Sequence, residues 1–382
     1  MERWNCLSLG PIEIPFYRLR DMTRNYFYWA AVCLIGFNIW HSANRGIWNG
    51  SILDSLTIGS YTLELAQKTD PRIRPWKSYD GQFFYAMTFD PLLISKNSVR
   101  YIDAPAYRYR RILYPLLASI LSLGQPHFFP YSLFAVNVFA WLLTGFILWK
   151  IANLEKLPSF WLVIGGLFNT GLIYATFRTL SETLMTASIL CGCYFWKKES
   201  WVRSSLFFAA ATLVREVALL VPITILIYEL FKENKNPKKL IYFSLILAIF
   251  PLIWWSYLSF RLPANAGNAE LQRLSLPFLG MFKELWISIR QQTSHTEHIR
   301  TFAIPALTVP LSLFIFLRFK SFPTLWGALA LAQAIFCSIV RGDIWNYHAS
   351  SARVIILLTI FSTLWFFEIA CPNSARSHIV RS

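Results

Sequence analysis

Charge is what this chain lacks. Only 15% of its 382 residues are charged, where a soluble domain carries about 25%. Acids are the scarcer half, 20 against 36 lysines and arginines. Length alone would allow about two soluble domains, but 55% hydrophobic and 17% aromatic residues and a mean hydropathy of +0.43 exclude that class. Cysteine is also sparse: Cys6, Cys33, Cys191, Cys193, Cys337 and Cys371. Four of these fall in apolar runs, and Cys191 and Cys193 are too close on one helix to bridge, so they read as small hydrophobes. His127, His295, His298 and His348 do not stand at paired ligand spacing with cysteine or carboxylate. No cofactor is therefore expected, and no residue set supports a divalent metal. Internal repeats, low-complexity tracts, soluble-domain boundaries and nucleotide-binding motifs are all missing. About twenty-five mostly polar residues precede the first apolar run and no small-residue cleavage site follows it, so that run reads as an uncleaved anchor. The net charge of +16 does not point to nucleic acid, because the positive residues are scattered among apolar segments, where they serve orientation and contact with anionic lipid headgroups.

What is present is a succession of apolar runs, at 26–40, 129–150, 159–177, 181–196, 202–214, 217–231, 240–260, 301–318, 323–340 and 351–369. They predict an all-α fold, a polytopic transmembrane helical bundle of about ten crossings, forming one membrane-embedded unit over 1–382. The run 112–124 spans roughly 20 Å as a helix, short of a ~30 Å hydrocarbon core, and reads as re-entrant or surface-lying. Arg3, Arg18, Arg20 and Arg24 precede the first run, which puts that end in the cytoplasm. Lys150 and Lys156, Lys197 and Lys198, Lys232, Lys235, Lys238 and Lys239, and Arg318 and Lys320 then fall in inner loops, while outer loops keep single arginines at 178, 215 and 341. Both termini are expected inside. One loop runs against the pattern: 261–300, placed outside, holds five positive residues. Within it, 276–289 is amphipathic and reads either as an interfacial helix or as a lid or acceptor platform.

The first outer loop, 43–128, contains the largest hydrophilic block, 76–111. Asp80, in SYDGQFFY, reads either as a turn, since Asp-Gly favours one, or as a general base able to take a hydroxyl proton, with Gln82 beside it. Arg108, Arg110 and Arg111 either anchor headgroups or grip a phosphate, whose oxygens match the guanidinium fork. Arg215 and Arg353 are further candidates for the second task. Asp103 is a second acid or a local partner of the arginines that follow it. Asp90 precedes Pro91 and starts a turn. Arg178 with Glu182, Arg215 with Glu216, and Arg341 with Asp343 place ionisable pairs at the membrane edge, where charge is costly and by default functional. Tyr347 and His348 lie just before the last run.

The first-loop acid, the short RILYPLL helix, the RTLSE loop and the TLVRE helix junction resemble the GT-C superfamily of polyprenyl-phosphate-sugar-dependent membrane glycosyltransferases, in particular its bacterial mannosyl- and arabinosyltransferase-like members. The resemblance covers most of the chain in layout. It implies a polyprenyl-phosphate-linked sugar as donor, a glycan, lipid or protein acceptor, and a site on the extracytoplasmic face of a bacterial inner (plasma) membrane. It matches Asp80 to the catalytic carboxylate, Glu182 to a second outer-loop acid, and Arg215 to a residue near the donor phosphate. Two features depart from the family's commonest pattern: Asp-Gly-Gln stands where adjacent acids are usual, and no large soluble C-terminal domain follows. Two other classes remain open, a lipid or solute transporter or flippase and a noncatalytic subunit of a glycosyltransferase complex. The first would place ionisable residues at mid-membrane depth and show related halves. Here they cluster at one face.

Overall fold

The computed structural model describes residues 16–43, 51–75, 79–233, 236–262, 275–290, 295–346 and 348–371, and among these the elements are all helices. α1 is Phe16–Ala43. The first loop carries α2 (Leu63–Thr69), α3 (Gly81–Thr88), α4 (Pro105–Arg108) and α5 (Leu113–Leu121). The bundle continues with α6 (Phe129–Glu155), α7 (Ser159–Leu167), α8 (Thr170–Phe177), α9 (Glu182–Lys197), α10 (Trp201–Val214), α11 (Leu220–Leu230) and α12 (Pro237–Arg261). It closes with α13 (Leu279–Arg290), α14 (His295–Phe319), α15 (Leu325–Ile339), α16 (Gly342–Asn346), α17 (His348–Val354) and α18 (Ile356–Ala370).

Among the described residues, three helical stretches are long and apolar enough to cross a membrane: Pro126–Glu155, Pro237–Arg261 and Phe302–Phe319. These mark the chain as membrane-associated. A fourth is gained if α7 and α8 count as one span. The expected anchor at 26–40 lies in the 28-residue α1, whose apolar stretch is diluted by tyrosine, tryptophan, Asn38 and His41. The core element is α9, nearly all of whose residues are buried; it packs on α6 and α10, while α18 packs on α1 and α15. Cys191, Cys193 and Cys337 are buried and unbridged, as small hydrophobes would be.

Two expected runs are broken. Instead of one helix over 159–177, α7 and α8 meet at 44°. The cause is Asn169, whose side-chain oxygen accepts from the Gly171 and Leu172 N–H groups at 3.1 and 3.3 Å and so starts a new helix. A break inside an apolar bundle frees backbone groups that must find partners there. The Thr170 N–H donates to Asn38 Oδ1 at 3.4 Å, and its hydroxyl donates to the Asn38 carbonyl at 3.1 Å. Asn169 Nδ2 donates to the Thr359 hydroxyl at 2.8 Å. The run 351–369 is likewise divided, between α17 and α18. In the second loop α14 already begins at His295, and α13 presents Leu279, Phe282, Trp286 and Ile289 outward while burying Met281 and Glu284.

The short helix expected at 112–124 is α5, of nine residues, or about 14 Å. Leu123 and Gly124, both with positive φ, turn the chain out of it. The first loop is tied down by α12, where Trp254 Nε1 donates to the Tyr109 carbonyl and the Tyr257 hydroxyl to the Leu92 carbonyl, both at 2.7 Å.

Asn169→Ala removes the cap and the Thr359 bond together. A loss of about 1–2 kcal/mol is expected, read as a lower melting temperature of the purified protein in detergent; an unchanged melting temperature would contradict the account of the joint.

Candidate functional site

Asp80 immediately precedes α3, but its side chain makes no capping bond to that helix. Gly81 is required by what lies behind it. A Cβ there would stand 2.7 Å from the Arg178 carbonyl and 2.9 Å from the Leu56 carbonyl, distances that real side chains do not tolerate. The glycine therefore lets the turn between α8 and α9 close on the first loop, and the Asp80 carboxylate projects free of its own helix.

That carboxylate is held between two arginines from distant parts of the chain. Arg108 Nη1 donates to Oδ1 at 2.9 Å and Arg353 Nη1 to Oδ2 at 3.2 Å. Arg108 also forks onto Asp103, at 3.0 and 3.1 Å. Arg353 Nη1 reaches Glu182 Oε1 at 2.8 Å, and the same oxygen accepts from Arg215. Arg111 Nε donates to Glu216 Oε2 at 3.0 Å, its second arm binding Oε1. Four acids, Asp80, Asp103, Glu182 and Glu216, thus face four arginines, Arg108, Arg111, Arg215 and Arg353. Arg111 is 1% and Glu182 2% exposed. Charges removed this far from water persist only when paired.

Aromatic rings carry the guanidinium planes. Arg108 lies 4.3 Å over Phe83, Arg111 4.2 Å over Tyr107, and Arg353 4.8 Å over Tyr79, contacts that are favourable for desolvated cations. The Tyr79 hydroxyl is 3.0 Å from the Ser350 hydroxyl on α17. On that helix Ala352 faces Gly171, where a Cβ would fall 2.2 Å from the Ala352 carbonyl; the close approach of α8 and α17 brings Arg353 to the cluster.

No family model matches the chain, and no curated protein or solved structure is significantly similar to it.

For two of the three expected neighbour pairs, Arg178 with Glu182 and Arg215 with Glu216, the carboxylate takes other partners. Glu182 is taken by Arg215 and Arg353, and Glu216 by Arg111. Arg215 is extended at the junction after α10 while Glu216 opens a 3-10 turn, and each side chain reaches a residue distant in sequence. Asp103 is the local partner of Arg108, and Asp90 holds a turn by accepting from the Ile94 and Lys96 N–H groups at 2.7 Å. Gln82 is fully buried and accepts from the Gly59 N–H at 3.0 Å and the Thr62 hydroxyl at 3.1 Å, fixing the 59–62 segment beneath α3. Arg110 is half-buried on the turn beside Arg111, and Arg178 has its guanidinium 6.0 Å from the Tyr174 ring. Tyr347 and the side chains of His348 and Asp343 lie outside the described residues. Tyr79, Phe83 and Tyr107 escaped the sequence reading; their signal was aromatic residues next to, or one turn from, the charged ones.

Chemically the cluster offers carboxylates with arginines poised on both sides. Among the described residues no three His, Cys, Asp or Glu side chains gather as a metal site; the carboxylates turn to guanidinium instead. Burial pushes the Asp80 carboxyl up, but Arg108, Arg353, Arg111 and Arg215 outweigh it and hold the group well below the usual carboxylate range. Burial also raises Glu216, yet its pair with Arg111, helped by Arg215, brings it down to about 2 from 4.5. A carboxyl depressed by folding contributes stability above its unfolded value, which is lost as pH falls through the folded one. The melting temperature should therefore decline as pH drops from 4.5 towards 2, and Glu216→Gln should flatten part of that decline. An identical acid slope in the variant would contradict the Arg111–Glu216 pair.

Proposed function

We propose that this chain is an integral membrane glycosyltransferase. It crosses the bacterial plasma membrane about ten times, with both termini in the cytoplasm, and moves a sugar from a polyprenyl-phosphate donor to a glycan, lipid or protein acceptor on the extracytoplasmic face. The observation that carries this reading is the meeting of Asp80, Glu182, Arg108, Arg215 and Arg353, which come from the first loop, α9, the end of α10 and α17, in one ionic cluster.

The reaction forms a bond from the acceptor oxygen to the anomeric carbon and breaks the bond from that carbon to the phosphate. Attack from the face opposite the phosphate inverts the configuration. Asp80 takes the hydroxyl proton and becomes neutral, while the donor diester, with one negative charge, leaves as a monoester with two. The charge of the site is therefore unchanged over the step. As Asp80 loses its charge, Arg108 loses one of its two anionic partners at the moment the phosphate gains charge, so its guanidinium group can help to stabilise the leaving group. The Phe83 ring under Arg108 keeps its plane fixed for that role.

Asp80→Asn tests the base assignment in membranes supplied with radiolabelled polyprenyl-phosphate mannose or polyprenyl-phosphate arabinose. Loss of transfer by 10²-fold or more is expected at normal expression, the scale of a removed general base. Retained transfer would defeat the assignment.

A further inference from the structure

Two buried atoms in the cluster have no hydrogen-bond partner: Glu182 Oε2 and Arg353 Nε. They belong to residues already in contact through one nitrogen and one oxygen, Arg353 Nη1 and Glu182 Oε1 at 2.8 Å. An arginine and a carboxylate ordinarily pair through two parallel bonds. Here Arg353 spends a single nitrogen on two carboxylates, since the same Nη1 reaches Asp80 Oδ2 at 3.2 Å. Glu182 Oε1 is meanwhile shared between Arg353 and Arg215. An unmade bond between buried polar groups costs the desolvation of both, so a second arrangement in which both idle atoms are used lies close at hand.

We propose that Arg353 is a two-position positioning residue: when a lipid phosphate draws Arg215 away from Glu182, Arg353 turns its full fork onto Glu182 and releases Asp80 Oδ2 to accept the hydroxyl proton. The inference rests on the reading of Asp80 as base and of the arginines as phosphate ligands. The exchange conserves pairing. Glu182 gives up Arg215 and gains a two-bond partner, and Arg353 fills its Nε. Asp80 keeps Arg108 alone. The groups facing Asp80 are Arg108 and Arg111 from the first loop, Arg215 after α10, Arg353 on α17 and Tyr79 beside it; of these, Arg353 is the one that bonds both to Asp80 and to Glu182, the carboxylate holding an idle oxygen. Without phosphate the acid stays clamped, which protects the site from idle proton uptake. With phosphate bound, the base is armed.

The test is a double-mutant cycle on binding, with undecaprenyl phosphate as the probe and the full chain in lipid nanodiscs. Asp80→Asn removes the partner that competes with Glu182 for Arg353. It should tighten undecaprenyl phosphate binding by about tenfold when Arg353 is present. With Arg353→Lys, a point charge that cannot fork, the same change should tighten binding less than about twofold. Glu182→Gln in place of Arg353→Lys should abolish the gain as well, a second route should the lysine variant not fold. Equal tightening in all backgrounds would mean simple removal of a negative charge and would overturn the switch while leaving the phosphate site intact. Failure of the wild-type chain to bind undecaprenyl phosphate at all would instead overturn the reading on which the switch rests.

Discussion

One carboxylate shared between two arginines organises this protein. Asp80 belongs to the first loop, Arg108 follows it at the far side of that loop, and Arg353 comes from a helix nearly three hundred residues away. Both guanidinium groups sit in an environment too dry to hold them alone. The loop and the bundle therefore meet only in arrangements that let the charges pair, and the pairing in turn fixes where the loop lies. Neutrality is reached by matching four acids to four arginines, so any anion that enters must displace an internal one. The proposed exchange of partners at Arg353 is how such a closed cluster would open.

The bundle makes that meeting sterically affordable at two glycines. Gly81 admits the backbone of the α8–α9 turn, and Gly171 admits the backbone of α17. The buried helix α9 runs between two ionic clusters: Glu182 at its first residue joins the site, and Lys197 at its last pairs with Glu155, which also accepts from Trp326 on α15. Polar groups at both ends and an apolar middle suit a helix lying between two aqueous boundaries, although at 16 residues it is about 24 Å long and meets a thinner slab than a full hydrocarbon core.

Periodicity and hydropathy were enough to read an all-helical, membrane-associated chain, and the length of 112–124 was enough to read α5 as too short to cross. The charged candidates were also legible as residue types: Asp80, Glu182, Arg215 and Arg353 do converge. Their partners were not. Sequence proximity suggested Arg215 with Glu216 and Arg178 with Glu182, whereas the observed pairs join residues 33, 105 and 273 positions apart, and such pairs depend on helix packing that no local pattern encodes. The break at Asn169 was hidden because Asn169 and Thr170 are flanked on both sides by apolar residues, and only the tertiary partners Asn38 and Thr359 make a cap in mid-bundle tolerable. Asp-Gly was ambiguous for a similar reason. The pair does form a turn, the Gln82 N–H donating to the Tyr79 carbonyl at 3.3 Å, but what requires glycine there is the close approach of the residue 178 backbone.

The proposed transfer requires the cluster to face the side of the membrane on which lipid-linked sugars are presented. The direct measurement places single cysteines at the two ends of α9's surroundings, Asn97→Cys in the first loop and Lys198→Cys beyond the last turn of α9, in a chain whose native cysteines are alanine. Both positions are exposed. In intact cells, a membrane-impermeant thiol reagent should label the cysteine at position 97 and reach the one at position 198 only after permeabilisation. The opposite pattern would put Asp80 and its arginines in the cytoplasm and contradict the account.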